Sequence, residues 1–251
     1  MNQALGIDIG GSSIKSARVN PETGDLLTDI ASTPLADRRS VDDVLELVRG
    51  IIAAQPEILP VGVGFPGVVR QGRTKPATHL EHGWNNFDFL GAIRSCTSGP
   101  VAVLNDADAA GLAEMRFGAG LRYNGPDGGP VLLITLGTGI GTALFHRGCL
   151  FPNLELGHIE IDGADAELLA AASVRTHKHL DWQRWGAQVN RYLQTIERLL
   201  SPELIIIGGG VSENFAHFSE FLVTEAVVRP ARLGNAAGLV GATLAIPPAL
   251  P

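Results

Sequence analysis

Four groups of residues have the types and spacing for chemistry. The run Val103-Leu104-Asn105-Asp106 ends an apolar stretch in an amide and a carboxylate, and a helical pattern follows over 107–114. In an open α/β sheet, ligands gather outside the carboxyl ends of strands, where a carboxylate can take a proton from a substrate hydroxyl. Asp106 equally fits a helix N-cap that satisfies orphan N–H groups, and local chemistry leaves both readings open. The run Glu155-Leu156-Gly157-His158-Ile159-Glu160 places two carboxylates and an imidazole within six residues. In an extended segment alternate side chains share a face, so His158 and Glu160 are expected to point together. Such acceptors suit a polyhydroxylated ligand, the plainer alternative being a structural histidine. Three Gly-rich turns follow apolar runs: Gly10-Gly11-Ser12-Ser13, Gly137-Thr138-Gly139-Ile140-Gly141 and Gly208-Gly209-Gly210. Glycine lets backbone amides approach an anion, and the Ser12, Ser13 and Thr138 hydroxyls add donors, which together read as phosphate binding. Neither the dinucleotide fingerprint nor a Walker lysine is present. Asp8, a charge inside an apolar strand, either braces its turn or holds Mg²⁺ through water beside phosphates.

These groups need elements to position them. Residues 4–19 read as a hairpin, with Leu5, Ile7 and Ile9 alternating before the first Gly turn. Ser40 is placed as the N-cap of a helix whose buried face is Val41, Val44, Leu45, Val48, Ile51 and Ile52. Apolar runs at 61–65, 101–104, 131–136 and 204–207 read as strands. Trp182, Trp185, Val189, Tyr192, Leu193, Ile196, Leu199 and Leu200 form one stripe of a long helix, which puts its tryptophans in the core. An Ala/Gly-rich helix over 235–246 closes the pattern, and Pro247, Pro248 and Pro251 make a short extended tail. The stretch 68–89, with Arg70, Arg73, Lys75, His79, His82 and Trp84, shows no clear period. Asp8-Ile9-Gly10-Gly11-Ser12 aligns without a gap on Thr135-Leu136-Gly137-Thr138-Gly139. That repeat predicts a duplicated α/β architecture with a cleft where the halves face each other, the Gly/Pro-rich loop 124–130 being the expected seam.

Composition narrows the class. A chain of 251 residues with 45% hydrophobic and 18% charged residues describes a globular protein. Its net charge of −7 speaks against general binding to nucleic acid or anionic membranes. No signal pattern and no run long enough to span a bilayer is visible. Cys96 and Cys149 lack metal-ligand spacing and are too few for a disulfide framework, so a reduced, cytoplasmic setting is expected.

Taken together, Asp8-Ile9-Gly10-Gly11, Leu104-Asn105-Asp106-Ala107, the Gly137 turn, Glu155-Leu156-Gly157-His158 and Ile207-Gly208-Gly209-Gly210-Val211 resemble the ordered motifs of the ROK sugar kinases. The resemblance runs from Gly6 to the closing helix. It implies the actin-like (ribonuclease H-like) fold of the hexokinase-type ATPases, with duplicated domains flanking an active-site cleft. The implied small domain is 1–108 plus 235–251, and the large domain 109–234. The short length, the run Glu155 through Gly163 and Ser201-Pro202-Glu203-Leu204 look most like the polyphosphate glucokinase branch. Many ROK members carry a Cys-rich zinc motif after their His; no cysteine follows His158 here, so no structural zinc is expected.

Carried over by position, the resemblance makes Asp106 the base for the 6-hydroxyl of glucose. Asn105, Glu155 and His158 would hold the sugar beside the backbone of Gly67, with either Glu167 or Glu160 as a further ligand. Gly10, Gly11, Ser12, Ser13, Lys15, Gly137, Thr138 and Gly139 would face the transferred phosphoryl, Gly208, Gly209 and Gly210 an adenosine, and Asp8 the Mg²⁺. The implied donor is polyphosphate or ATP, and the implied assembly a homodimer. For a polyphosphate donor the basic candidates are Lys15, Arg18, Arg70, Arg73, Lys75, Arg116 and Arg122. Alternatives are an ATP-dependent kinase for mannose, fructose or an N-acetylated sugar, and a non-catalytic sugar-binding regulator. A regulator of this family would carry an N-terminal winged helix, for which the first Gly turn at residue 10 leaves no room.

Overall fold

Period-two alternation of apolar residues produces strands, and two five-stranded sheets result. The first contains β1 (Ala4–Ile9), β2 (Ser13–Val19), β3 (Ala31–Pro34), β4 (Val61–Phe65) and β5 (Val101–Asn105), in the order β3-β2-β1-β4-β5. The second contains β6 (Pro130–Leu136), β7 (Ile140–His146), β8 (Cys149–Leu154), β9 (Leu204–Gly208) and β10 (Val227–Pro230), in the order β8-β7-β6-β9-β10. Each sheet has three antiparallel strands followed by two added in parallel. The duplication read from the Gly turns is therefore a duplication of topology. The helices are α1 (Val41–Ala53), α2 (Phe89–Arg94), α3 (Asp106–Phe117), α4 (Glu167–Ala170), α5 (Ala172–His177), α6 (Trp182–Leu200) and α7 (Ala237–Leu244). This computed structural model describes residues 2–37, 39–75, 80 and 83–247. His79, His82, Pro248 and Pro251 lie outside the described residues.

The chain divides into two compact units, residues 1–113 with 236–251, and residues 114–235. The loop 124–130 lies inside the second unit. In the first unit the core is Leu5, Ile7, Ile9 and Ile14 with Val61, Val63 and Phe65, covered by Val44 and Val48 of α1. Ser40 caps α1: its hydroxyl accepts the Asp43 N–H at 3.2 Å and donates to the Asp43 carboxylate at 2.6 Å. A cap of this kind stabilises a helix by about 1 kcal/mol. Small residues of α7 permit backbone-to-backbone approach. A Cβ on Gly6 or Gly62 would collide with the carbonyl oxygens of Leu239 or Ala242. Two strands next to the candidate site are thus packed directly by the last helix.

The unpatterned stretch is partly core. Trp84 is buried, with ring centroids 5.0 Å from Phe65 and 5.8 Å from Phe89. Its period is hidden because the preceding elements are only two residues long, Val69–Arg70 and Arg73–Thr74.

In the second unit α6 lays Trp185, Val189, Tyr192, Leu193 and Ile196 on the sheet. One stripe assignment changes. Leu199 is 64% exposed, because a 3.6-residue period carries it off the buried face. Trp182, in the first turn of α6, packs against the core beside Trp185 and Phe218 but is only half-buried, with Arg175 and His217 also on its ring. The segment 155–160 is also not extended. Leu156–His158 is a 3₁₀ turn, so His158 and Glu160 do not share a strand face.

Candidate active site

Strand β5 ends at Asn105, and α3 begins at Asp106. The cap is Asn105, whose Oδ1 accepts the Asp108 N–H at 2.9 Å. Its Nδ2 donates to the Gly67 carbonyl at 3.2 Å, so Asn105 and Gly67 lie together. Asp106 accepts the adjacent Ala107 N–H at 2.8 Å and is half-buried at the strand end.

Beside it, β1 presents Asp8, which lies opposite Gly64 of β4 in the parallel register. A Cβ at Gly64 would stand 3.3 Å from Asp8 Oδ1 and 3.5 Å from Asp106 Cα. Glycine there leaves the two acidic residues as neighbours with no side chain between them. On its other side the Asp8 carboxyl meets Gly238, where a Cβ would fall 2.8 Å from Cγ. Burial pushes the Asp8 carboxyl above its ordinary range, opposed by the Lys15 ammonium, which is paired with it across β1 and β2. The first Gly turn follows, closed by the Gly10 N–H donating to the Ser13 carbonyl at 2.9 Å.

The second unit builds a polar cluster at the corresponding ends of its strands. Thr142 Oγ1 donates to the Leu154 carbonyl at 2.7 Å and accepts the Leu156 N–H at 3.2 Å, fixing the turn that holds Glu155. A Cβ on Gly157 would lie 2.5 Å from the Ile140 carbonyl oxygen, so only glycine lets this turn approach β7. Glu155 Oε1 is buried with no hydrogen-bond partner. Its carboxyl is pushed up by burial, held down by His158 and raised again by the neighbouring Glu167. His158 Nδ1 lies 3.1 Å from Asp165 Oδ2. Glu167 Oε2 accepts the Ile140 N–H at 3.1 Å, joining this cluster to the second Gly turn. Glu167, not Glu160, is therefore grouped with Glu155 and His158. Glu160 borders a separate groove with Asp162 and Arg191, which form an ion pair.

The second Gly turn is closed by the Gly137 N–H donating to the Gly139 carbonyl at 3.0 Å. The third lies against it: a Cβ on Gly209, whose φ is +79°, would be 2.5 Å from the Leu136 carbonyl oxygen. Gly208 faces Thr135 in register, as Gly64 faces Asp8 in the first sheet. The two halves thus differ at this position, where only β1 carries a carboxylate.

Several of the basic candidates have local partners. Arg18 lies 3.8 Å from Glu57, Arg73 donates to the Asn86 carbonyl at 2.7 Å, and Arg116 packs over Phe117. Sequence reasoning missed Asp165, Thr142 and Ser173. For Asp165 a signal existed: Asp162-Gly163 is a hairpin dipeptide with both φ values positive, and it folds Asp165 back beside Glu160.

Two sheets of one topology, each with its first strand running into a Gly turn, define the duplicated α/β fold of the actin-like ATPases. Within that class, the ROK family model matches residues 4–179, and the chain belongs to the ROK family. It is 42% identical to a polyphosphate glucokinase of Mycobacterium tuberculosis, over 96% of this chain and 90% of that one. A polyphosphate glucokinase of Mycobacterium leprae is 40% identical over 97% of this chain and 74% of its own. Among solved structures, the inorganic polyphosphate/ATP-glucomannokinase of Arthrobacter sp. strain KM superposes with a TM-score of 0.89. It is 41% identical, covering 97% of this chain and 98% of that one. A Streptomyces griseus ROK glucokinase shares the fold with a TM-score of 0.80 at 23% identity, covering 96% and 98% of the two chains. Among the described residues no helix is long and apolar enough to cross a membrane.

Proposed function

We propose that this protein transfers the terminal phosphoryl group of inorganic polyphosphate or ATP to the 6-hydroxyl of glucose, giving glucose 6-phosphate. The observation that carries this reading is the 42% identity to a polyphosphate glucokinase over 90% of that enzyme's length. The geometry supports it. Glu155 has an acceptor oxygen without a partner, as a hydroxylated ligand would require, and Asp106 stands at a strand end with its helix capped by another residue.

In the reaction, Asp106 takes the proton of the 6-hydroxyl as that oxygen forms its bond to phosphorus. The bond from phosphorus to the leaving oxygen breaks, releasing ADP or a polyphosphate one unit shorter. Asn105, Glu155, His158 and Glu167 orient the sugar, and amides of the Gly10 and Gly137 turns face the phosphates. Phosphoryl transfer depends mainly on such positioning and charge stabilisation. Asp8, whose carboxyl lies next to Asp106 at the strand end, would be the protein anchor of a Mg²⁺ bound through water. When bound, the ion neutralises charge on the phosphates.

The test is product formation from glucose with polyphosphate and with ATP, each with Mg²⁺. A second reading, with mannose as the better acceptor, is favoured by the glucomannokinase relative. Competition between glucose, mannose, fructose and N-acetylated hexoses decides between them. From the resemblance we further propose a homodimer, checked by particle mass in solution, and from the two free cysteines a reduced, cytoplasmic setting.

A further inference from the structure

Helix α5 starts against the second Gly turn. The Ser173 N–H donates to the Gly137 carbonyl at 3.0 Å, and its hydroxyl donates to the Thr138 carbonyl at 2.6 Å. Two residues on, the Arg175 guanidinium carbon lies 3.5 Å from the Trp182 ring centroid, and the same ring stacks with His217 at 5.5 Å. Arg175 Nε is buried without a hydrogen-bond partner, and neither Arg175 nor Lys178 is paired with a carboxylate among the described residues. Stacking on an aromatic face fixes a guanidinium, and with Nε buried it is the terminal Nη groups that are left to meet anionic oxygens. From Arg175 the chain continues through exposed His177, Lys178 and His179. No acidic residue occurs between Ser173 and Leu180, in a protein whose net charge is −7. The nearest acid along the chain, Asp181, caps α6 and lies 3.7 Å from Arg184.

We propose that α5 and the residues just after it form a track for the distal part of a linear polyphosphate chain, with Arg175 and Lys178 as its charged contacts. This rests on the reading of the Gly137 turn as a phosphoryl-donor turn. A chain whose reacting end lies at that turn passes Arg175 and then Lys178, three residues apart on one side of the helix end, with Lys178 roughly 7.5 Å beyond Ser173 at the helical rise. A polyphosphate has charge to place along this length and a short phosphate chain does not. The site should therefore discriminate by chain length.

The test measures direct binding of long-chain sodium polyphosphate and of tripolyphosphate to the full chain at two salt concentrations. Wild type is compared with Lys178→Gln/His179→Gln, whose side chains are exposed and leave the core untouched. Arg175→Gln is measured beside it, with the thermal midpoint followed. A charge-matched control, Arg49→Gln, removes one exposed cation from α1. Removing phosphate contacts lowers both affinity and the salt slope, so long-chain binding should weaken about tenfold with a slope smaller by about one. Tripolyphosphate binding should change less than about twofold on the same reasoning. The inference is overturned if the Lys178/His179 variant binds long chains like wild type, or if the control loses as much. It is also overturned if wild type binds no long-chain polyphosphate, whichever donor it uses. If polyphosphate binds through α5 while only ATP phosphorylates glucose, the track stands and the donor reading falls.

Discussion

Asn105 accepts the Asp108 N–H at 2.9 Å and so caps the helix that Asp106 begins. The two functions that a single aspartate had to serve in the sequence are divided between neighbours. Asp106→Asn should therefore leave the fold and glucose affinity nearly unchanged and lower kcat by roughly 10²–10⁴-fold, the usual worth of a general base. Asn105→Ala should behave differently, losing about 1 kcal/mol of stability with the cap and weakening sugar binding as well. Steady-state kinetics with glucose titration by calorimetry checks both. Turnover by Asp106→Asn at close to the parent rate would remove the base assignment.

The Glu155 carboxyl is raised above the ordinary glutamate range, chiefly by burial. Its folded state favours the protonated form, so its contribution to stability is present below the unfolded pKa and is lost as pH rises through the folded one. Sugar binding runs the other way, because the carboxylate is the stronger acceptor. KM for glucose should rise as pH falls through a value above about 4.3, the unperturbed glutamate pKa. Glu155→Gln should flatten that acid limb, raise KM at neutral pH and leave the thermal midpoint equal or higher. A KM profile of the Gln variant that keeps the wild-type limb would place the titration elsewhere.

Asp8 follows the same sign, and burial is again the chief cause. Burial raises its carboxyl more than Lys15 lowers it, so the charge is held in place at a cost to the fold. Asp8→Asn should abolish most phosphoryl transfer while the unliganded protein melts no lower near pH 7. A variant that melts well below wild type would mean that the ionised carboxylate is a structural group.

Much of this was legible in the sequence, for identifiable reasons. Strong local signals survive without tertiary information: the Ser40 cap, the alternation of Leu5, Ile7 and Ile9, and the repeated Gly turns all appear in the fold. What local pattern could not give was set by contacts distant along the chain. Trp84 is core only because Phe65 and Phe89 meet it, and its own segment has too few regular residues to show a period. Glu155 through Glu160 looked extended, but the Gly157 approach to Ile140 bends it into a turn. That bend separates His158 from Glu160, and Glu167 reaches the cluster from the start of α4.

Asp165 holds one nitrogen of His158 at 3.1 Å, which fixes the ring and the tautomer available to a ligand. Asp165→Asn keeps a hydrogen-bonding group of the same size, whereas Asp165→Ala releases the ring. KM for glucose should rise several-fold in the Ala variant and recover substantially in the Asn variant, with kcat less affected in each. A purely structural role would instead lower the thermal midpoint and leave KM alone.

Glu114 is fully buried, and each carboxylate oxygen is committed to backbone. Oε1 accepts the N–H groups of Arg232 and Leu233, both at 2.8 Å, and Oε2 accepts that of Ala119 at 2.8 Å. One side chain at the end of α3 thus fastens the segment 232–233 within the second unit. Glutamine has nearly the same shape, but its amide nitrogen must face at least one of these donors. Leaving a buried N–H without an acceptor costs about 1–3 kcal/mol, and more when the lost acceptor was charged. Glu114→Gln should therefore unfold about 2–4 kcal/mol more easily in denaturant. Its kcat and KM at low temperature should stay near wild type, because the side chain touches none of the candidate site residues. Equal denaturation midpoints for the two proteins would show that this buried carboxylate is not what anchors the segment.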